Sequence, residues 1–207
     1  ATLTPTANIT DTTNLITLDN SGVTNASGNS GVGTTASNNF ASDTALPTAT
    51  IVVADNALGE AATGELRRHD VDTQAVQKTE GRMGLYFLTP GAIQRPSEVL
   101  YDRADSAFAQ AGGGRHAWSA LLAGADWLHV SGVTPALGQQ AAEGTLDAMR
   151  AARAAGVKVS FDGNFRPKLW QAWNGDAPGI LRGLMAEADV MFASHRDIEV
   201  VLGQAFQ

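Results

Sequence analysis

The chain has 207 residues, a formal net charge of −7 at pH 7 and no cysteine. With 43% hydrophobic residues it can build a substantial core. Its 14 basic and 21 acidic residues exclude the basic surface typical of nucleic-acid-binding proteins. The absence of cysteine excludes disulfides and thiolate zinc sites, and fits a cytoplasmic location. Since no apolar run approaches the roughly 18 residues of a transmembrane helix, we expect no membrane partner.

The first part of the chain differs sharply in composition from the rest. Residues 1–59 contain no Lys, Arg, Glu or His and are rich in Thr, Asn, Ser, Gly and Ala. Such a break predicts a domain boundary, which we place between residues 1–58 and 59–207. The polar segment is predicted to be either disordered or made of short β-strands, with a weak strand over residues 14–18.

Beyond the boundary, helical and apolar strand patterns alternate. We predict a hairpin over residues 82–102. Strands are expected at 126–130, 157–162 and 189–193. Helices are expected at 60–69, 115–125, 178–188 and 196–202, with a further one that Thr134 and Pro135 open as N-cap and N1 and that Gly156 ends. This alternation predicts the α/β class, with a parallel sheet covered on both faces.

Three loops follow the predicted parallel strands, at residues 131–134, 163–166 and 194–197. In open parallel sheets, ligands bind beyond the carboxyl ends of the strands, in the loops that lead into helices. We therefore expect the three loops to face one edge of the sheet and to contribute to a binding site.

Two arginines are candidates for binding a carboxylate, because a guanidinium can donate two parallel hydrogen bonds to it. They are Arg103, at the end of the hairpin, and Arg166, in the second loop. On spacing alone, Arg103 could equally be a surface residue or form an ion pair with Asp102 or Asp105.

Two segments carry a family resemblance. The hairpin, with Tyr86 and the run Tyr101-Asp-Arg103, and the run Phe161-Asp-Gly-Asn-Phe-Arg166 resemble the ribokinase-like sugar kinases, and most closely the 2-keto-3-deoxygluconate kinases. The resemblance extends from about residue 60 to the end of the chain. It implies a ribokinase-like parallel sheet with flanking helices and a small β lid, here truncated at both ends.

The resemblance also implies a reaction and its site. The γ-phosphoryl group of ATP would be transferred to a sugar acid in the presence of Mg²⁺. The residues expected to contact the sugar acid are Tyr86, Tyr101, Arg103, Val133 and Arg166. For the tyrosines, ordinary strand packing is the alternative, and for Val133 it is a core position at the end of a strand.

Ser194 and Asp197 stand where the family has an Asn-x-x-Glu motif that helps to order magnesium near the phosphates. Asp197 keeps a carboxylate, the ligand that a hard cation prefers. Equally, Ser194 could simply cap the following helix, with Asp197 in its first turn.

Two family motifs are missing from the 207 residues: an N-terminal Gly-Gly loop that grips the sugar, and a Gly-Ala-Gly-Asp segment with the anion hole and the catalytic base. No catalytic residue is therefore assigned, and the base aspartate is expected beyond the C-terminus. We expect this chain alone to have no meaningful turnover. The lid of this family can also form a subunit interface, so a homo-oligomer is possible.

Residues 22–53 resemble the end of one bacterial Ig-like adhesin repeat and the start of the next. A partial repeat cannot close a sandwich, because its apolar face needs a partner sheet.

Two further functions stay open. The kinase-like part could be a non-catalytic module that binds a sugar acid. Alternatively, the chain could be part of a cell-surface adhesin, in which the Ig-like segment carries the function.

Overall fold

The computed structural model describes residues 10–22, 24–37, 40–43, 45–111 and 116–203. The chain forms two compact units, residues 1–48 with 70–72, and residues 49–69 with 73–207. The boundary predicted between residues 58 and 59 is a different one: it marks where two unrelated sequences are expected to join, and it stays a prediction. Within the described ranges, no helix is long and apolar enough to cross a membrane.

The first unit contains two pairs of short antiparallel strands. β1 (Thr10–Asn14) pairs with β4 (Phe40–Asp43), and β2 (Thr17–Asp19) pairs with β3 (Thr34–Ala36). The strand predicted over residues 14–18 is wrong in its bounds. Leu15 and Ile16 lie between β1 and β2 with exposed side chains, so no apolar face holds them in a continuous strand.

The second unit opens with a parallel pair of strands, β5 (Val52–Ala54) and β6 (Gln77–Thr79). Helix α1 (Ala57–Arg68) lies between them in sequence and confirms the helix predicted at 60–69. It begins before residue 60, where the sequence placed its start, because Asn56 caps it. The side-chain oxygen of Asn56 accepts hydrogen bonds from the N–H groups of Leu58 and Gly59.

The predicted hairpin is confirmed. β7 (Leu85–Thr89) and β8 (Glu98–Asp102) are antiparallel, and Tyr86 lies directly opposite Tyr101. Helix α2 (Ala107–Ala111) follows β8.

The helix predicted at 115–125 is mostly wrong. Only α3 (Trp118–Leu121) forms in this region, and no side chain caps its start. Gly124, with a φ of 79°, turns the chain into the next strand. Arg115 and the glycine run at 112–114 lie outside the described residues.

Three parallel strands form the sheet that positions the site. β9 (Trp127–Ser131), β10 (Lys158–Asp162) and β11 (Val190–Phe192) lie in the order β11-β10-β9. In register, Asp162 is the partner of both Ser131 and Phe192. This confirms the predicted parallel pairing and aligns the carboxyl ends of all three strands.

Four helices connect and flank these strands. They are α4 (Gln139–Ala154), α5 (Pro167–Gln171), α6 (Ala177–Glu187) and α7 (His195–Leu202). As predicted, Gly156 lies just beyond α4, in the left-handed region with a φ of 76°. The predicted start of α4 at Thr134 is wrong. Pro135 opens a short 3-10 turn, Pro135–Leu137, and Gly138, with a φ of 146°, separates that turn from α4.

The core lies between the sheet and helices α4 and α6. Its largest fully buried side chains come from both layers: Met149, Val159, Phe161, Leu181 and Leu184. The opposite face of the sheet carries Trp127 and Phe192, and both side chains are exposed. The expectation that both faces are covered is therefore wrong for the described part of the chain.

Candidate functional site

The loops after β9 and β10 touch at the carboxyl edge of the sheet. The N–H of Gly132 donates to the carbonyl of Asp162 at 2.7 Å. A Cβ atom on Gly132 would lie 1.9 Å from the carbonyl oxygen of Gly163, so only glycine fits there. The side chain of Asn164 donates to the hydroxyl of Ser131 at 3.1 Å. These contacts hold the first two predicted loops side by side.

The third loop joins them through Asp197. One carboxylate oxygen accepts from the N–H of Phe165 at 3.0 Å, and the other accepts from the N–H and the hydroxyl of Ser194, both at 2.7 Å. The N–H of Asp197 donates in return to the Ser194 hydroxyl, which completes a capping box at the start of α7. The convergence of the three predicted loops is thus confirmed.

Asp197 is buried, with 6% of its surface exposed. Burial by itself raises the pKa of a carboxyl group, but here four favourable contacts outweigh it. The hydrogen bonds from the Ser194 side chain, from the N–H groups of Phe165 and Ser194, and the nearby Arg166 guanidinium hold the pKa of Asp197 below its ordinary value. The residue is therefore a carboxylate at neutral pH.

The described residues do not form a metal site by themselves. No group of three or more His, Cys, Asp or Glu side chains among them could hold a metal ion. Both oxygens of Asp197 already accept hydrogen bonds from the protein. The donor set that Mg²⁺ needs is therefore incomplete here, and a metal role for Asp197 stays a prediction.

The hairpin presents a cation over two phenol rings. The guanidinium carbon of Arg103 lies 5.5 Å from the ring centroid of Tyr86 and 5.3 Å from that of Tyr101. The pairing of the two tyrosines across β7 and β8 creates this arrangement, because directly opposite residues lie on the same face of a hairpin. Cation–π contacts orient the guanidinium but use none of its five N–H donors.

Arg103 forms no ion pair among the described residues, either with Asp102 or with Asp105. Asp102 forms an ion pair with Arg82, which also donates to the carbonyls of Asp102 and Ala104. The alternative in which Arg103 pairs with Asp102 or Asp105 is therefore wrong. Arg103 is half-buried, and its N–H groups remain available to an anionic ligand.

A cavity of about 640 Å³ lies beside this cation. Part of its lining comes from β8 and the turn after it, including Leu100, Tyr101 and Arg103. The rest includes the start of α4, α5 with Lys168, and Trp173 just after α5. A volume of this order is typical of pockets for small molecules.

The structure brings only some of the predicted substrate residues together. Tyr101 and Arg103 line the cavity, and Tyr86 reaches it through its contact with Arg103 while its own side chain is 57% exposed. Arg166 does not line the cavity. Its exposed guanidinium donates to the carbonyl of Phe165 at 3.3 Å.

Val133 lies at the end of β9, half-buried against the core. Its N–H points to the Ser131 hydroxyl at 3.5 Å. With Ser194 and Asp197 it belongs to the loop edge of the sheet rather than to the cavity lining. The substrate and cofactor roles of these residues stay predictions.

Lys168 lines the cavity, and the sequence analysis did not identify it. The signal available was the run Arg166-Pro-Lys168, in which Pro167 occupies the first turn of a helix. The helix has only five residues, too few to show which face Lys168 would occupy.

Comparisons with known proteins identify the family of the chain. A family model described as pfkB family carbohydrate kinase matches residues 26–207, and a bacterial Ig-like domain model matches residues 1–42. A 2-dehydro-3-deoxygalactonokinase of Haloferax volcanii is 36% identical over 148 residues, which are 72% of this chain and 46% of that protein. A 2-dehydro-3-deoxygluconokinase of Escherichia coli is 31% identical over 138 residues.

Solved structures give the same result. The 2-dehydro-3-deoxygluconokinase of Thermotoga maritima is 40% identical, with a TM-score of 0.71, over 77% of this chain and 48% of its own. A PfkB family carbohydrate kinase of Listeria grayi is 34% identical, with a TM-score of 0.70, over 78% of this chain and 50% of its own. The chain thus spans about half the length of these relatives. With its parallel sheet, its hairpin and a family match over most of its length, the chain belongs to the pfkB family of carbohydrate kinases.

Proposed function

We propose that this chain forms the sugar-acid-binding part of a kinase acting on 2-keto-3-deoxygluconate, also called 2-dehydro-3-deoxygluconate, or on a closely related acid. The observation that carries the proposal is Arg103, a half-buried cation that lies over two phenols, lines a cavity and has no acidic partner among the described residues. A guanidinium in this position can donate two parallel hydrogen bonds to a carboxylate, so it favours an anionic ligand.

The chemistry of a sugar acid supports this substrate class. A sugar acid has one carboxylate, which a guanidinium can bind through two parallel hydrogen bonds, and several hydroxyls, which the phenols of Tyr86 and Tyr101 can bind. Several similar proteins are named as kinases of 2-dehydro-3-deoxy sugar acids. We extend that substrate class to this chain.

The phosphoryl donor proposed for the reaction is ATP with Mg²⁺, which would place the enzyme in the cytoplasm, where ATP is made. Ser194 and Asp197 would act at this end of the site by fixing the loop edge through Phe165. We propose no turnover for these 207 residues alone, because they contain no Gly-Ala-Gly-Asp segment to supply a general base.

The test is calorimetric titration of the 207-residue chain with 2-keto-3-deoxygluconate, together with Arg103→Met. We expect binding by the unchanged chain and at least about a tenfold loss in the variant, the effect of one lost charge-assisted interaction. Arg68→Met is the matched control, since Arg68 is an exposed arginine of α1 away from the cavity. Equal binding by Arg103→Met and Arg68→Met would overturn the proposal.

A phosphorylation assay with ATP and Mg²⁺ separates the kinase from a module that only binds the acid. The chain is assayed alone and in a version extended through the genomic reading frame. Activity only in the extended protein supports the kinase. Binding of the acid without activity in either form favours the binding module.

We also propose that the outer face of the hairpin joins two copies of the protein. Phe87 and Leu100 lie directly opposite each other, on the face of the hairpin that does not carry Tyr86 and Tyr101, and they are 54% and 65% exposed. Leu100 also borders the cavity. Burying such a pair against a second copy would remove apolar surface from water.

A second candidate function rests on the bacterial Ig-like match over residues 1–42. In that case the first unit would be part of a cell-surface adhesin, and the kinase part would have no role of its own. The nucleotide sequence upstream separates the two. Further Ig-like repeats in the same frame would favour the adhesin, and a kinase start in that frame would remove it.

A further inference from the structure

Lys168 and Arg103 line the same cavity. Arg103 directly follows β8, and Lys168 lies in α5. From β8, Val99, Leu100 and Tyr101 line the cavity, and Arg103 follows directly after the strand. From α5 and the turn after it, Lys168 and Ala172 line the same cavity, four residues apart.

The part of the lining that carries Lys168 is fixed by its neighbours. Leu169 and Trp170 follow it in α5 and are buried in the core. Trp173, one turn later, donates its indole N–H to the carbonyl of Ala136 at 3.0 Å. These contacts hold the backbone of Lys168 at the cavity, and its side chain is exposed.

The charges on the cavity lining are unequal. Two cations, Arg103 and Lys168, line it together with one acid, Asp105. Among the described residues neither cation forms an ion pair, and neither does Asp105. The lining therefore has an excess of one positive charge, which matches a ligand with one negative charge.

We infer that Lys168 is a second cation for the ligand carboxylate and that it selects acids over neutral sugars. The guanidinium of Arg103 fixes the orientation of the carboxylate, and the ammonium of Lys168, on another element of the same cavity lining, adds a second positive charge. This inference rests on the proposed function, because it names the group that sets the substrate class at the same cavity.

The experiment measures selectivity. The dissociation constants of the 207-residue chain for 2-keto-3-deoxygluconate and for its neutral methyl ester are measured by calorimetry, in low and in high salt. The variants are Lys168→Met, which keeps the length of the side chain, and Lys168→Arg, which keeps the charge. Lys158→Met is the matched control, because Lys158 is an exposed lysine of β10 outside the cavity.

We expect Lys168→Met to lower the preference for the acid over the ester by about tenfold, with binding of the ester unchanged. Lys168→Arg should retain most of the preference, and Lys158→Met all of it. The acid should also bind more weakly at high salt, and less so in Lys168→Met, since salt screens exposed charges. A thermal unfolding midpoint equal to that of the unchanged chain shows that Lys168→Met is folded.

Two other outcomes are separable. If Lys168→Met keeps the full preference while Arg103→Met loses it, the inference about Lys168 is wrong and the proposed function stands. If the unchanged chain binds the acid no better than the ester, the proposed function itself is wrong, and the inference is rejected with it.

Discussion

The carboxylate of Asp197 accepts a hydrogen bond of 3.0 Å from the backbone N–H of Phe165. The contact spans 32 positions in the chain and joins the first turn of α7 to the loop after β10. Because its other oxygen holds Ser194, this one side chain caps a helix and fixes the neighbouring loop. Arg166, one residue after Phe165, therefore depends on Asp197 for its position.

We expect Asp197→Asn to lower the free energy of unfolding by about 1–3 kcal/mol. The amide group would turn an N–H donor toward either Phe165 or Ser194, each of which already donates. Urea unfolding followed by tryptophan fluorescence measures the change. Asp176→Asn is a suitable control, because the Asp176 side chain accepts one exposed hydrogen bond, from Gly179. Equal losses in both variants would contradict the dual role of Asp197.

The effect of Asp197→Asn should depend on pH. The pKa of Asp197 in the folded protein lies below its ordinary value of 3.8. Its contribution to stability is therefore fully present above that value and is lost as the pH falls through the lower folded-state pKa. The difference in unfolding free energy between the unchanged chain and the variant should be constant near neutral pH and shrink below pH 3.8. A difference that grows in acid would refute the assignment.

Gly132→Ala should disrupt the loop edge of the sheet. The added Cβ would lie 1.9 Å from the carbonyl oxygen of Gly163, a backbone atom that cannot move without shifting the loop. Gly183→Ala is the matched control, because nothing lies within 4 Å of a Cβ there and the residue is within α6. We expect the thermal midpoint to fall in the first variant. In the second it should stay or rise, since alanine favours a helix by about 1 kcal/mol over glycine.

Arg103→Lys should retain only part of the binding of the sugar acid. The charge remains, but an ammonium cannot donate the two parallel hydrogen bonds that a guanidinium offers to a carboxylate. We expect its dissociation constant to lie between those of the unchanged chain and of Arg103→Met, in the same calorimetric titration. Binding as tight as in the unchanged chain would show that charge alone, without fork geometry, holds the acid.

Phe87→Glu should weaken self-association if the outer face of the hairpin joins two copies. A charge opposite Leu100 would be desolvated in such an interface, which is unfavourable. Sedimentation velocity over a range of protein concentrations measures the effect. Leu58→Glu, on the exposed side of α1, is the control. The proposal fails if the unchanged chain is monomeric throughout, or if both variants associate equally.

The sequence predicted the sheet and most of its helices because their signals are local. β10 alternates polar and apolar residues between the end of α4, marked by Gly156, and a loop. At the start of α7, Ser194 and Asp197 form the capping box that their spacing indicates. The start of α4 was missed because Gly138 interrupts a pattern in which Thr134 and Pro135 are a good cap.

The cavity was less predictable than the loops. Tyr101 and Arg103 could be placed on one face of a strand from their spacing. The availability of Arg103, however, depends on an ion pair between Arg82 and Asp102 across the base of the hairpin, which spacing does not reveal. The position of Lys168 at the cavity could not be predicted, because it depends on the tertiary packing of Leu169 and Trp170, which holds a very short helix in place.

β11 has one described neighbour in its sheet, β10, and its three side chains are exposed. A strand with a free edge can pair with the same strand of another molecule. Such pairing would give dimers, detectable by light scattering, that do not involve the hairpin. A lysine in place of Met191 in every protein used for hydrodynamic work would discourage this side reaction and leave the hairpin surface intact.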